Sequence, residues 1–418
     1  DDLEYLRVYR GTNDDPMTYA HLTGYYSVVL QRSGLEQAMN DQLTGTPSEV
    51  LAQNLAELIG DRNAIGNTVK LTIDAGVQRE AARALGDRTG AVVALDPRTG
   101  AVLASYSNPS YDPNLVTSHD RNAILENWAV LRDDPTRPLL DRVTRETYPP
   151  GSTFKLIVAA AALQRGIAPE TAFPDEPEYD VPQTDADIAN FATGRPCAGG
   201  GTITLADALR VSCNTVFARL GVELGSEALV DAAEHFGFNR EIPYDLPVVR
   251  SGIPKELDVP ATAQSAIGQR DVRATPLQMA MVAATIANDG VLMRPYVVGE
   301  VLDPTGRRLR GPESGPWRDR LRSSQALEPR IAQTLTNLMV SVVETGTGTR
   351  AQIPGVRVGG KTGTAQVPGA TPTVWFVGFV EDQIAIAVVL PDAGVDATGG
   401  AAAAPIARAV MEAALGRR

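Results

Sequence analysis

Ser152 and Lys155 stand three residues apart at the head of an unbroken apolar run, Leu156-Ile157-Val158-Ala159-Ala160-Ala161-Ala162-Leu163. The run has strong helix propensity and no breaker, and Tyr148-Pro149-Pro150-Gly151 before it predicts a helix beginning at about Ser152 or Thr153. Three-residue spacing on a helix puts both side chains on one face. The helix N-terminus adds partial positive charge and unpaired N–H groups beside the serine. A hydroxyl with an amine in reach can become nucleophilic without a histidine. Alone, Ser-x-x-Lys also fits a capping serine beside a solvated lysine, so partners elsewhere in the chain decide the chemistry.

Composition narrows those partners. The 418 residues can hold two domains, or one large domain with a smaller attachment. A net charge of −12 argues against a nucleic-acid partner, which calls for clustered Lys and Arg. His21, His119 and His235 are the only histidines and none lies near Ser152 in sequence, so a Ser-His-Asp triad has little support. Two cysteines, Cys197 and Cys213, are too few for a four-thiolate zinc site, and the histidines are dispersed; neither metal nor cofactor is expected. No apolar run reaches about 18 residues, and the chain begins at Asp1, so a leader or anchor could lie upstream.

The elements that must position Ser152 come from both ends of the chain. Residues 1–66, with a helix-like stretch from Ser48 to Leu58, are too few for an enzyme core and read as an accessory module; 67–418 read as the main domain. Thr68 to Ile73 alternates like a strand, and Gln78 to Leu85 reads as a short helix. Two apolar runs flank Asp96-Pro97-Arg98-Thr99-Gly100, a hairpin signal; residues 105–150 look loop-rich and 168–203 an irregular excursion. Helices are expected on both sides of Val211-Ser212-Cys213-Asn214-Thr215, from Pro260 to Asn288, from Glu328 to Glu344 and from Ala404 to Leu415. Val374 to Val380 and Ile384 to Leu390 form a second hairpin after a glycine-rich strand candidate. The pattern predicts an α+β fold: an antiparallel sheet closed by both ends of the domain, packed against helices.

The glycine-rich strand admits two readings. Gly355-Val356-Arg357-Val358-Gly359-Gly360-Lys361-Thr362 matches the phosphate-loop pattern, but Gly363, Pro368, Gly369 and Pro372 prevent a helix from opening at the lysine. Without that helix a phosphate has no cradle. The other reading joins Ser152-x-x-Lys155, Ser212-x-Asn214 and Lys361-Thr362-Gly363. In this order and at these separations they resemble the penicillin-binding and serine β-lactamase superfamily. Leu71-Thr72-Ile73-Asp74 with Gln78, Asn108-Pro109-Ser110-Tyr111-Asp112-Pro113-Asn114, and Gly268-Gln269 before Thr275-Pro276-Leu277-Gln278 resemble the transpeptidase domain of its monofunctional class B. Gly34-Leu35-Glu36 with Leu43 and Gly45 is similar to the tail of that class's N-terminal (pedestal-type) module.

The resemblance implies the transpeptidase fold, a sheet with an all-helical lobe, and a peptidoglycan stem peptide ending in D-alanyl-D-alanine as substrate. Ser152 would attack the penultimate carbonyl, with Lys155 as base, its pKa lowered by burial and by Lys361. Ser212 would relay the proton to the leaving nitrogen and Asn214 would hold the substrate amide. Thr362 and Thr364 would bind the terminal carboxylate beside Lys361, whereas Gly363 reads as a close-packing residue. Backbone N–H groups of Ser152 and Thr364 would form the oxyanion hole. β-Lactams would acylate Ser152. The implied location is the extracytoplasmic face of the bacterial cell membrane, with a membrane glycosyltransferase as a candidate partner. There Cys197 and Cys213 could form a disulfide, or remain one buried and one exposed thiol. A D,D-carboxypeptidase shares these motifs. A β-lactamase is disfavoured because the chain has no Leu-Asn pair. A non-catalytic β-lactam sensor or cell-wall scaffold is the alternative outside enzymology.

Overall fold

The computed structural model describes residues 6–11, 15–44, 66–191, 194–313, 324–367 and 369–416. The stretch Ser48–Leu58 and Gly45 lie outside the described residues.

Five antiparallel strands make the central sheet: β1 (Gly90–Leu95), β2 (Val102–Asn108), β3 (Val358–Ala365), β4 (Thr373–Val380) and β5 (Ile384–Leu390), in the order β3-β4-β5-β1-β2. β4 and β5 are buried along their whole length, so they read as continuous apolar runs, not as alternating ones. The two-residue period survives in where the side chains go. Val374, Phe376, Ile386 and Val388 enter one core, while Trp375, Val377, Ala387 and Val389 enter the other.

Apart from three helices of four or five residues before Gly45, the described helices are α1 (Ala75–Leu85), α2 (Arg121–Asp133), α3 (Lys155–Gln164), α4 (Leu205–Val211), α5 (Asn214–Leu224), α6 (Ser226–His235), α7 (Val259–Ala266), α8 (Pro276–Ala287), α9 (Pro329–Thr345) and α10 (Ala404–Ala414). The first core is closed by Val77, Ala81 and Leu85 of α1 with Ile406, Val410 and Met411 of α10. The other core holds the helical lobe, centred on α3, whose residues Lys155 to Ala162 are all buried. A helix surrounded on every side needs no amphipathic stripe, which is why this run is apolar throughout.

Several sequence expectations are redrawn. The helical stretch expected over Pro260–Asn288 is two helices, α7 and α8, because Gly268 takes φ +72 and turns the chain back against Gly151. Residues 105–150 contain α2, capped by Asp120 Oδ1 on the N–H groups of Asn122 and Ala123. The excursion 168–203 carries two small antiparallel pairs, Ala172–Pro174 with Thr202–Thr204 and Glu178–Asp180 with Asp187–Ala189. Its pairing partners lie as far apart as Ala172 and Thr204, beyond the reach of local patterning.

Candidate active site

Ser152 lies in a 3-10 turn, Gly151–Phe154, that runs straight into α3. Three neighbours fix this turn. Gly151 N–H donates to Gly268 O at 2.9 Å, Trp375 Nε1 donates to Pro149 O at 2.9 Å, and Tyr148 pairs its backbone with Ala274 in both directions at 2.9 Å. The approach is so close that a Cβ on Gly151 would stand 2.8 Å from Thr364 O, and one on Gly363 2.8 Å from Pro150 O. Gly363 is thus a packing residue, and Trp375, with no exposed surface, is core. β3 is an edge strand, so its outer row of N–H and C=O groups has no strand partner and faces the serine turn.

Ser212 and Asn214 sit at the junction of α4 and α5. Ser212 takes the left-handed conformation, φ 65 and ψ 41, as the C-cap of α4. This aims both its carbonyl and its hydroxyl at lysines. Lys155 Nζ donates to Ser212 O and to Asn214 Oδ1, each at 2.7 Å, and lies 3.5 Å from Ser212 Oγ. Asn214 Nδ2 donates to Ala189 O at 3.0 Å, which fixes its amide with Oδ1 toward the amine. Lys361 Nζ donates to Ser212 Oγ at 2.8 Å and to Thr362 O at 3.1 Å. Among the described residues the Ser152 hydroxyl has no hydrogen-bond partner, so the direct Ser152–Lys155 pairing that the spacing predicts is not formed. The amine is drawn instead to two carbonyl oxygens.

Both lysines are fully buried. Burial first, and the like charge of Lys361 second, pulls Lys155 well below the ordinary lysine value. Burial lowers Lys361 to about 7. A neutral Lys155 amine has two hydrogens and one lone pair. Ser212 O and Asn214 Oδ1 can only accept, so they take both hydrogens and leave the lone pair free for a proton.

Sequence reasoning missed the supports of this arrangement. Asn190 Oδ1 accepts from the N–H groups of Asn214 and Thr215 at 3.1 and 3.2 Å, capping α5 from a distant segment. Thr347 Oγ1 lies 2.7 Å from Thr362 Oγ1, and the Phe217 ring lies 5.5 Å from Lys155 Nζ. No local signal marks these residues, because their partners come from other elements. Cys197 and Cys213 are joined by a disulfide. Asp175 beside them accepts from the N–H groups of Cys197 and Ala198 at 2.7 Å and of Gly200 at 2.9 Å. That acid and the two joined sulfurs therefore offer no thiolate for a metal. His21 lies half-buried in the N-terminal part, its Nε2 2.8 Å from Pro138 O, and forms no triad with Ser152.

Residues 90–412 match the penicillin binding protein transpeptidase domain, and residues 1–69 match the penicillin binding protein A dimerisation domain. The chain belongs to the penicillin-binding protein transpeptidase family, in its class B branch. It is 43% identical to the peptidoglycan D,D-transpeptidase PbpA of Mycolicibacterium smegmatis over 98% of this chain and 84% of that protein. Against PbpA of Mycobacterium tuberculosis the identity is 39% over the same shares. Among solved structures, penicillin-binding protein A from M. tuberculosis as its ceftriaxone acyl-enzyme superposes with a TM-score of 0.92 at 38% identity, covering 98% and 93% of the two chains. Its penicillin G acyl-enzyme gives 0.91 at 38% identity, covering 98% and 94%.

Proposed function

We propose that the chain is a peptidoglycan D,D-transpeptidase that works through an acyl-enzyme on Ser152 and is acylated by β-lactams. The observation that carries this reading is the convergence of two buried lysine amines on Ser212, at the edge of the serine turn. Lys155, its amine biased toward the neutral form by burial, takes the Ser152 proton as Oγ attacks the penultimate D-alanine carbonyl. The new C–O bond replaces the peptide C–N bond. The proton passes by way of Ser212 Oγ to the departing D-alanine nitrogen. The N–H groups of Ser152 and Thr364 receive the carbonyl oxygen, Asn214 steadies the substrate amide, and Lys361 with Thr362 and Thr364 holds the terminal carboxylate. An amine of a second stem peptide then takes the acyl group and makes the cross-link.

Such a substrate places the reaction outside the cytoplasm, and we assign it to the outer face of the cell membrane. A membrane glycosyltransferase that makes un-cross-linked strands is the partner this calls for. Among the described residues no helix is long and apolar enough to cross a membrane. We divide the chain into an accessory module, 1–66, and a transpeptidase domain, 67–418. The pairing of Thr68–Leu71 with Val298–Leu302 supports that boundary.

The test is labelling by a fluorescent penicillin, followed by incubation with a donor peptide and an amine acceptor. Wild type should be labelled and should join donor to acceptor, and Ser152→Ala should do neither. Labelling that persists in Ser152→Ala overturns the assignment. Release of D-alanine without any joined product indicates a carboxypeptidase.

A further inference from the structure

We propose, resting on the reading above, that the Nε–Nη2 edge of Arg273 receives a side-chain carboxylate of the donor-peptide residue preceding D-alanyl-D-alanine. Arg273 lines the same cleft, about 810 Å³, as Pro149 and Asn214. Its backbone is fixed against Gly252, N–H to O at 2.9 Å and O to N–H at 2.8 Å. The next residue, Ala274, is the one paired with Tyr148, four positions before Ser152. The guanidinium is fixed as well. Nη1 donates to Arg270 O at 2.7 Å and to Val272 O at 3.0 Å, which uses both of its hydrogens. Arg270 offers its carbonyl from a left-handed conformation, φ 58, that non-glycine residues seldom adopt.

The other edge of the fork is unused. Among the described residues Nε and Nη2 of Arg273 have no hydrogen-bond partner, and no carboxylate comes within 4.0 Å, that of Asp187 in the same cleft included. Arg270 beside it does face acids, Asp271 at 3.4 Å and Asp258 at 3.9 Å. Arg273 therefore presents an uncompensated, pre-positioned pair of donors at the spacing of two carboxylate oxygens.

Its place along the substrate follows from β3. With the terminal carboxylate at Thr362 and the scissile carbonyl at Thr364, the peptide runs antiparallel to the strand. Its upstream residues then lie toward Gln366, about 7 Å beyond Thr364 at roughly 3.3 Å per residue. The open edge ends there. With its amide oriented to satisfy both groups, Gln269 accepts from Gln366 N–H at 3.0 Å and donates to Gln366 O at 3.3 Å. Those are the groups a peptide strand would use, so the donor residue before the D-alanine pair must leave the ladder beside the 269–273 turn that carries Arg273.

The experiment measures D-alanine release from two synthetic donors, X-D-Ala-D-Ala with X either L-glutamate or L-glutamine, by wild type, Arg273→Ala and Arg273→Lys. Wild type should favour the glutamate donor by about tenfold in kcat/KM. Arg273→Ala should bring that ratio to about one, and Arg273→Lys should leave an intermediate value. A ratio cancels any loss of folded enzyme. Ser152-dependent release with no donor preference in wild type, or a preference unchanged in Arg273→Ala, overturns the subsite alone. No Ser152-dependent release from either donor overturns the acyl-transfer reading beneath it too.

Discussion

Lys155 and Lys361 share one hydroxyl-bearing residue but face opposite demands. A base must be neutral, and a carboxylate holder must be charged. Burial lowers both amines, and the like charge of Lys361 further disfavours an ammonium at Lys155. The useful charge on Lys361 is present below its pKa and lost as pH rises through about 7. Wild-type acylation kcat/KM for a carboxylate-bearing penicillin should therefore fall on the alkaline side of neutrality. Lys361→Arg, always charged, should react more slowly but lose that alkaline limb, as a pH series of stopped-flow labelling would read out. A limb identical in both proteins would assign the titration elsewhere. Stability should move the other way. The folded pKa lies below the unfolded one, so the unfolded chain binds more protons between about 7 and 10.5, and this group makes stability rise with pH across that window.

At the scale of elements, the site is an accord between a turn, a helix junction and an edge strand. Gly268 shows how little slack there is: a Cβ would meet Gly151 O at 2.0 Å, at a φ of +72. Gly268→Ala should cost about 2–3 kcal/mol by denaturant titration and should slow penicillin acylation more than tenfold, because the strain falls on the residue before Ser152. A variant as stable and as reactive as wild type would separate that contact from the chemistry. The disulfide ties the 168–203 excursion to the α4–α5 junction through a sixteen-residue separation. Replacing both cysteines by serine should lower stability by about 3 kcal/mol in the chain-entropy account. It should also slow acylation, since Cys213 lies between Ser212 and Asn214. Unchanged rates at reduced stability would make the bond a staple only.

For the whole molecule, Gln78 is the joint between the N-terminal part and the sheet. Fully buried, its amide donates to Thr18 O and Ser105 O and accepts from Ser105 N–H, all at 2.8 Å. Gln78→Ala strands three buried backbone groups and should cost about 2–3 kcal/mol. Proteolysis within residues 15–27 should then outpace cleavage of the transpeptidase domain; equal cleavage would place the joint elsewhere. By itself the amino-acid order determined the hairpins of the sheet, the apolar α3 and the short motifs that carry Ser152, Lys155, Ser212, Asn214 and Lys361. Those features are written in periodicity and in neighbours a few residues apart. It left undecided whether the cysteines pair, and it did not show that the Lys155 amine is held by Ser212 O and Asn214 Oδ1. It also merged α7 with α8 and gave no sign of Asn190 or Thr347. Those outcomes depend on atoms brought into hydrogen-bond or covalent contact from segments fifteen to more than a hundred residues apart, and only the packing of the sheet against the helical lobe sets which of them meet.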